Sequence, residues 1–278
     1  MKKTYEKIPL TILIVSAVLA AVSVITRSVL TLTALDTEYG VYAHGNIAPI
    51  VYHIALVLAL AGLAVYALLK APDRTPDYIT PSTDFTVFAS CACAFLMLAE
   101  LFLSLYYIVV NNTSASTFDI LELCFSAPAI LYFLGLVRSQ DKRSTLMMLT
   151  SFFPTAWCAV CLIRIYFDTT ILQTSPNKIV GEVALLAAML YFLSESRSQL
   201  GIVNHKVYLA VAAVAPVLLL TSAVPNLLFA DRLSIGISDN FMRYAIDAVF
   251  ALFIYARLAS YARTKVPSET CGQPASKQ

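Results

Sequence analysis

Glu100 lies in the run Leu96-Met97-Leu98-Ala99-Glu100-Leu101-Phe102-Leu103, with apolar neighbours on both sides. A carboxyl in that setting is a candidate proton carrier or an interhelical hydrogen-bonding group, because ionisation away from water is costly. Three more acids, Glu122, Glu182 and Asp247, fall inside long apolar stretches, as do Arg164, Arg243 and His53. His53 can take either charge state near neutral pH. These acids can pair with Arg27, Arg164 and Arg243, and a mixed set of this kind suits a small polar or zwitterionic solute. The opposing reading is a set of ion pairs and snorkelling side chains that only orient helices. Arg27 and Asp239 read as interfacial and structural. Asp239, Arg243 and Asp247 are four apart and share one helix face, as do Trp157, Cys161 and Arg164 by their spacing. Pro154 reads as a kink that frees a carbonyl.

Cys158-Ala159-Val160-Cys161 has the CxxC spacing of redox dithiols. It resembles the CxxC that membrane quinone reductases of the vitamin K epoxide reductase type place in a helix. The resemblance covers those four residues, and the outer-loop cysteine pair of that family is absent, so its chemistry is not carried over. Cys91, Cys93 and Cys124 also lie in apolar stretches, where thiols serve as small fillers. No second liganding pair accompanies any of them, so neither a metal nor a cofactor is expected. The sequence contains no GxxxxGK[ST] and no GxGxxG, which excludes nucleotide-driven pumping by this chain. A net charge of +2 with no basic stripe excludes nucleic-acid binding.

The elements that must hold these residues follow from composition. Of the 278 residues, 59% are hydrophobic and 13% charged, with a mean hydropathy of +0.76. Soluble domains run at about 45–50% apolar and about 25% charged. The pattern predicts an all-α, polytopic membrane helix bundle, embedded in a lipid bilayer as one domain over 1–263. Eight stretches reach the length of about 20 residues that a span needs: 8–28, 47–69, 86–110, 118–138, 145–167, 179–197, 207–226 and 240–262. The polar segment 264–278 reads as a disordered cytoplasmic tail.

With the N-terminus inside, 14 of the 19 basic residues fall on the cytoplasmic side, leaving Arg27, Arg164, Lys178, Arg232 and Arg243 towards the outside. Both termini are then cytoplasmic, and a plasma-membrane location is expected. The first stretch has the basic start of a signal peptide, but its apolar run exceeds the usual length of about 7–15 residues, which favours a retained helix. Asn111-Asn112-Thr113-Ser114 holds two overlapping sequons. Ala17 with Ala21, and Ala55 with Ala59, offer small-residue packing faces.

Leu131-Tyr132-Phe133-Leu134 and Leu190-Tyr191-Phe192-Leu193 each begin seven residues before an arginine, Arg138 and Arg197. Each even-numbered span also pairs an ionisable group near its outer end with a basic residue further in: His53 with Lys70, Glu122 with Arg138, Glu182 with Arg197, Asp247 with Arg263. Four parallel helical-hairpin repeats would produce this pattern, and so would any bundle of lipid-length helices. Three functions stay open: a secondary transporter or permease, a sensor or accessory subunit that binds a ligand or partner without transport, and an intramembrane enzyme. The first is favoured by the mixed charges of the outer third. The second is favoured by an inner half expected to be poor in charge. Partners other than lipid are a small polar solute and a second copy or partner subunit.

Overall fold

The computed structural model describes residues 8–36, 41–43, 45–71, 83–110, 116–138, 145–169, 172–230 and 241–263. His44, Asp239, the sequons at 111–114 and the tail 264–278 lie outside the described residues. The helices are α1 (Ile8–Thr33), α2 (Ala48–Lys70), α3 (Asp84–Val110), α4 (Thr117–Arg138), α5 (Thr145–Thr150), α6 (Phe153–Phe167), α7 (Pro176–Leu200), α8 (His205–Leu228) and α9 (Phe241–Arg263). Between α1 and α2, β1 (Leu35–Asp36) and β2 (Val41–Tyr42) pair antiparallel, with Leu35 opposite Tyr42. Eight of these segments are long and apolar enough to cross a membrane, α5 and α6 counting together as the fifth. The protein is an all-α, multi-pass membrane helix bundle.

The fifth span breaks at Ser151 and Phe152 because Pro154 has no N–H to continue the ladder. Ser196 Oγ of α7 donates to the Ser151 carbonyl at 2.6 Å and satisfies the break. Between α7 and α8 the chain turns through Gly201, whose φ of 75° lies in the left-handed region that favours glycine. Asn204 then caps α8, its side chain accepting from the Lys206 and Val207 amides.

Helices α3, α4, α6, α7, α8 and α9 touch in chain order, and α9 closes the ring on α3. The first hairpin lies outside this ring. α1 packs on α8 and α9, while α2 packs on α8 and α1. The four hairpins are therefore not equivalent in position. α8, with Ala210, Ala212, Ala213, Ala215 and Ala223 buried, is the most enclosed span, as expected of a helix apolar all round with small residues at its contacts.

α1 packs through Ile12, Ser16, Ala20, Ser23, Arg27 and Leu30, which recur at helical spacing on one face. Ala17, Ala21, Ala55 and Ala59 are exposed instead, a correction to the small-residue faces expected from sequence. In α1 Ser16, Ala20 and Ser23 make the close approach. Val18, Val22, Ile25 and Val29 of α1 point outward, the inverse of a soluble surface and the arrangement lipid requires.

Candidate functional site

Five of the seven candidate residues come together in the half of the ring nearer the loop before α9. α3 supplies Glu100, α4 supplies Glu122, α6 supplies Arg164, and α9 supplies Arg243 and Asp247. Arg164 donates from Nη1 to Glu122 Oε2 at 2.7 Å, and its Nη2 lies 3.2 Å from Asp119 Oδ1. The Cys161 thiol, one turn below Arg164, donates to Glu122 Oε1 at 3.5 Å. Arg164 is 47% exposed in its side chain whereas Glu122 is 11% exposed, so the pair runs from the surface into the ring. Also buried are Asp247, whose Oδ1 lacks a hydrogen-bond partner, and Arg243, whose Nε is in the same state. Glu100 Oε2 is also buried without a partner. Sequence distance suggests that Glu100 stands apart from every cation. Folding instead places it within electrostatic reach of Glu122, Asp247, Arg243 and Arg164.

An aromatic layer closes the ring beneath these charges. Phe250 of α9 packs on Phe192 at 4.9 Å, Trp157 at 5.6 Å and Phe133 at 5.7 Å between ring centroids. Phe253 adds contacts to Phe133 at 5.3 Å and to Phe192 at 6.2 Å. Edge-to-face and tilted contacts dominate, the geometry that the ring quadrupole favours.

Below the aromatics is a second polar centre that the sequence reading missed. Arg257 Nη2 donates to Glu195 Oε1 at 2.5 Å, and both side chains are 1% exposed. Tyr208 donates to Glu195 Oε2 at 2.9 Å, and the hydroxyls of Tyr132 and Tyr191 reach the carboxylate at 3.5 Å. This end of the bundle, expected from sequence to be poor in charge, holds a buried ion pair. Glu195 and Arg257 were passed over because each sits near a span end, where charges ordinarily meet water. The signal lay in the matched tetrapeptides: both tyrosines bind Glu195, and Phe133 and Phe192 pack together at 6.0 Å.

The remaining candidates stand elsewhere. His53 of α2 bonds through Nδ1 to the Pro49 carbonyl at 2.6 Å and packs edge-on against Tyr52. Glu182 of α7 has a buried Oε1 without a hydrogen-bond partner, and among the described residues no ion pair joins it to the others. Cys158 and Cys161 are free and buried, so the CxxC spacing forms no disulfide here. Among the described residues no group of three or more His, Cys, Asp or Glu could hold a metal ion. Comparison with protein-family models, with curated proteins and with solved structures finds no match.

Proposed function

We propose that this membrane protein is a secondary transporter or permease for a small polar or zwitterionic solute entering from the outer side. Glu100, Glu122, Arg164, Arg243 and Asp247 form its outer site. One observation carries the reading: a buried carboxyl oxygen of Glu100, one of Asp247 and the Arg243 Nε–H lack hydrogen-bond partners in the same part of the ring. They adjoin the half-exposed Arg164–Glu122 pair. Acceptors and a cationic donor held together out of water can receive an ammonium group and a carboxylate at once. The aromatic layer below them suits a carrier that must stay closed on one side of its site. His53 and Glu182 take no part. Both termini face the cytoplasm of a plasma-membrane protein, on the basic-residue distribution.

Counterflow in proteoliposomes, using a panel of labelled zwitterionic amino acids and betaines, tests the reading. At least one solute is exchanged by the wild type and by neither Glu100→Gln nor Asp247→Asn. A panel that is neither exchanged nor bound ends the proposal. The closed aromatic layer favours a second reading, a sensor that binds the solute without moving it, and binding without counterflow would establish that one instead.

A further inference from the structure

Arg27 reads from sequence as interfacial and structural, yet it is fully buried and faces no carboxylate among the described residues. Nη1 donates to the Thr221 carbonyl at 2.7 Å and Nη2 to Asn177 Oδ1 at 2.8 Å, while Nε has no partner. The Thr221 carbonyl is available because Pro225, four residues on in α8, has no N–H to occupy it. The titratable groups that face Arg27 are the phenols of Tyr42, Tyr52 and Tyr244, which are neutral near pH 7. A guanidinium out of water without a counter-charge is strongly disfavoured.

Around it are more donors with nothing to donate to. Asn177 Nδ2 and Ser222 Oγ are buried and unpartnered, against one bare neutral acceptor, Asn226 Oδ1, a turn further along α8. Ser222 faces the same strip of α7 as Asn177, since a Cβ built on Gly181, one turn further along, would stand 3.8 Å from Ser222 Oγ. Asn177 itself lies in the first turn of α7, where unused amides and the helix dipole favour an anion. A surplus of buried donors around one unpaired cation calls for an acceptor carrying negative charge.

We propose that Arg27, Asn177 and Ser222 form an oxyanion-binding site at the junction of α1, α7 and α8, taking a carboxylate or phosphate group. The route to it is lateral. A groove of about 660 Å³ separates α1 from α2, apolar except for Ser23, Thr26 and Tyr52. Ser23 Oγ bonds to Tyr52 at 2.8 Å and to Thr221 Oγ1 at 2.7 Å, so its polar wall adjoins the residue that holds Arg27. Such a site accepts either a soluble oxyanion or the headgroup of an anionic lipid whose chain lies in the groove. It shares no residue with the outer solute site in the ring.

The decisive variant is Asn177→Asp, which sets a carboxylate where the amide oxygen already accepts from Arg27. Thermal unfolding of the full chain is followed in nonionic detergent with inorganic phosphate at constant ionic strength. It is also followed in phosphatidylcholine nanodiscs with and without phosphatidylglycerol. The wild-type midpoint rises by several degrees with the bound anion. Asn177→Asp starts above the wild type and shows no rise, and Arg27→Gln, where it folds, shows none either. A response to phosphate in detergent identifies a soluble oxyanion, and a response to phosphatidylglycerol alone identifies a headgroup. A wild type that responds to neither overturns the proposal, as does an Asn177→Asp protein that responds like the wild type.

Discussion

Arg257 and Glu195 form an ion pair 2.5 Å long with both side chains 1% exposed, deep on the side of the aromatic layer opposite Asp247. Asp247 and Arg257 are ten residues apart on α9, which is about 15 Å along the axis at about 1.5 Å per residue. The Glu195 carboxylate is also bonded by three tyrosine hydroxyls and by Gln199 Nε2, which donates to Glu195 Oε1 at 3.4 Å. The outer group, by contrast, keeps unpartnered polar atoms on three residues. Both oxygens of the Glu195 carboxylate are taken, whereas Glu100 and Asp247 each keep a bare oxygen, a contrast that favours a structural tie for the first and a binding role for the second.

Removing one member of the inner pair strands a buried charge, at a cost of about 3–5 kcal/mol. Glu195→Leu and Arg257→Met each lower the unfolding midpoint sharply. The double variant recovers much of the loss, because neither charge is then left alone. Thermal unfolding of the four proteins in detergent gives the coupling directly. Additive losses would show that the two residues act separately.

The outer pair behaves differently. Arg164 is half exposed, and ion pairs in such settings contribute about 0–1 kcal/mol. Glu122→Gln therefore leaves the unfolding midpoint within a few degrees of wild type while abolishing solute counterflow. A variant that loses stability as much as Glu195→Leu would place Glu122 in the scaffold rather than the site.

How much of this was legible depended on what span length can report. Apolar runs fix the number and type of helices, because lipid leaves the backbone no other satisfied form. The Glu122–Arg164 pair followed from two costly charges at similar depth. Arg27 did not follow. The first apolar run reads as 8–28, but α1 continues to Thr33, which draws Arg27 well inside the helix. Its partner, the Thr221 carbonyl, exists because of Pro225, and no local pattern links residues 194 apart in the chain. Glu195 was only partly legible: Tyr191 lies one turn before it on α7, but Tyr132, Tyr208 and Arg257 come from three other helices.

The joint between α7 and α8 rests on two residues with separable effects. Gly201→Ala forces a side chain into φ 75° and costs about 1 kcal/mol. Asn204→Ala removes the cap that accepts from two amides of α8, again about 1 kcal/mol. Thermal unfolding shows both losses, with no change in solute counterflow because neither residue touches the outer site. A Gly201→Ala protein as stable as wild type would mean that the turn relaxes to another conformation.

Orientation is tested by labelling single cysteines, in a background lacking the native ones, with a membrane-impermeant maleimide. Positions in the segments 71–84 and 168–178 lie on opposite faces, the first protected in intact cells and the second labelled. Equal labelling of both segments would contradict the arrangement with both termini inside.

Phe250 is the test of whether the aromatic layer is a barrier. Its ring meets Trp157, Phe133 and Phe192, one from each of three other helices, so it fills the centre of the ring between the two polar centres. Phe250→Ala removes that plug but leaves a cavity, at a cost of about 3–5 kcal/mol. Phe250→Leu keeps most of the volume, so the protein folds while the aromatic edge contacts are lost. If the layer separates an outer from an inner site, both variants leak. Efflux of the counterflow substrate from preloaded proteoliposomes into buffer without exchangeable solute accelerates, more for alanine than for leucine. The Glu195–Arg257 pair lies beyond the layer and should be untouched, which the unfolding midpoint of Phe250→Leu checks. Efflux that stays at the wild-type rate in a folded Phe250→Ala protein would mean that solute does not pass this way, and the aromatic cluster would then be packing alone.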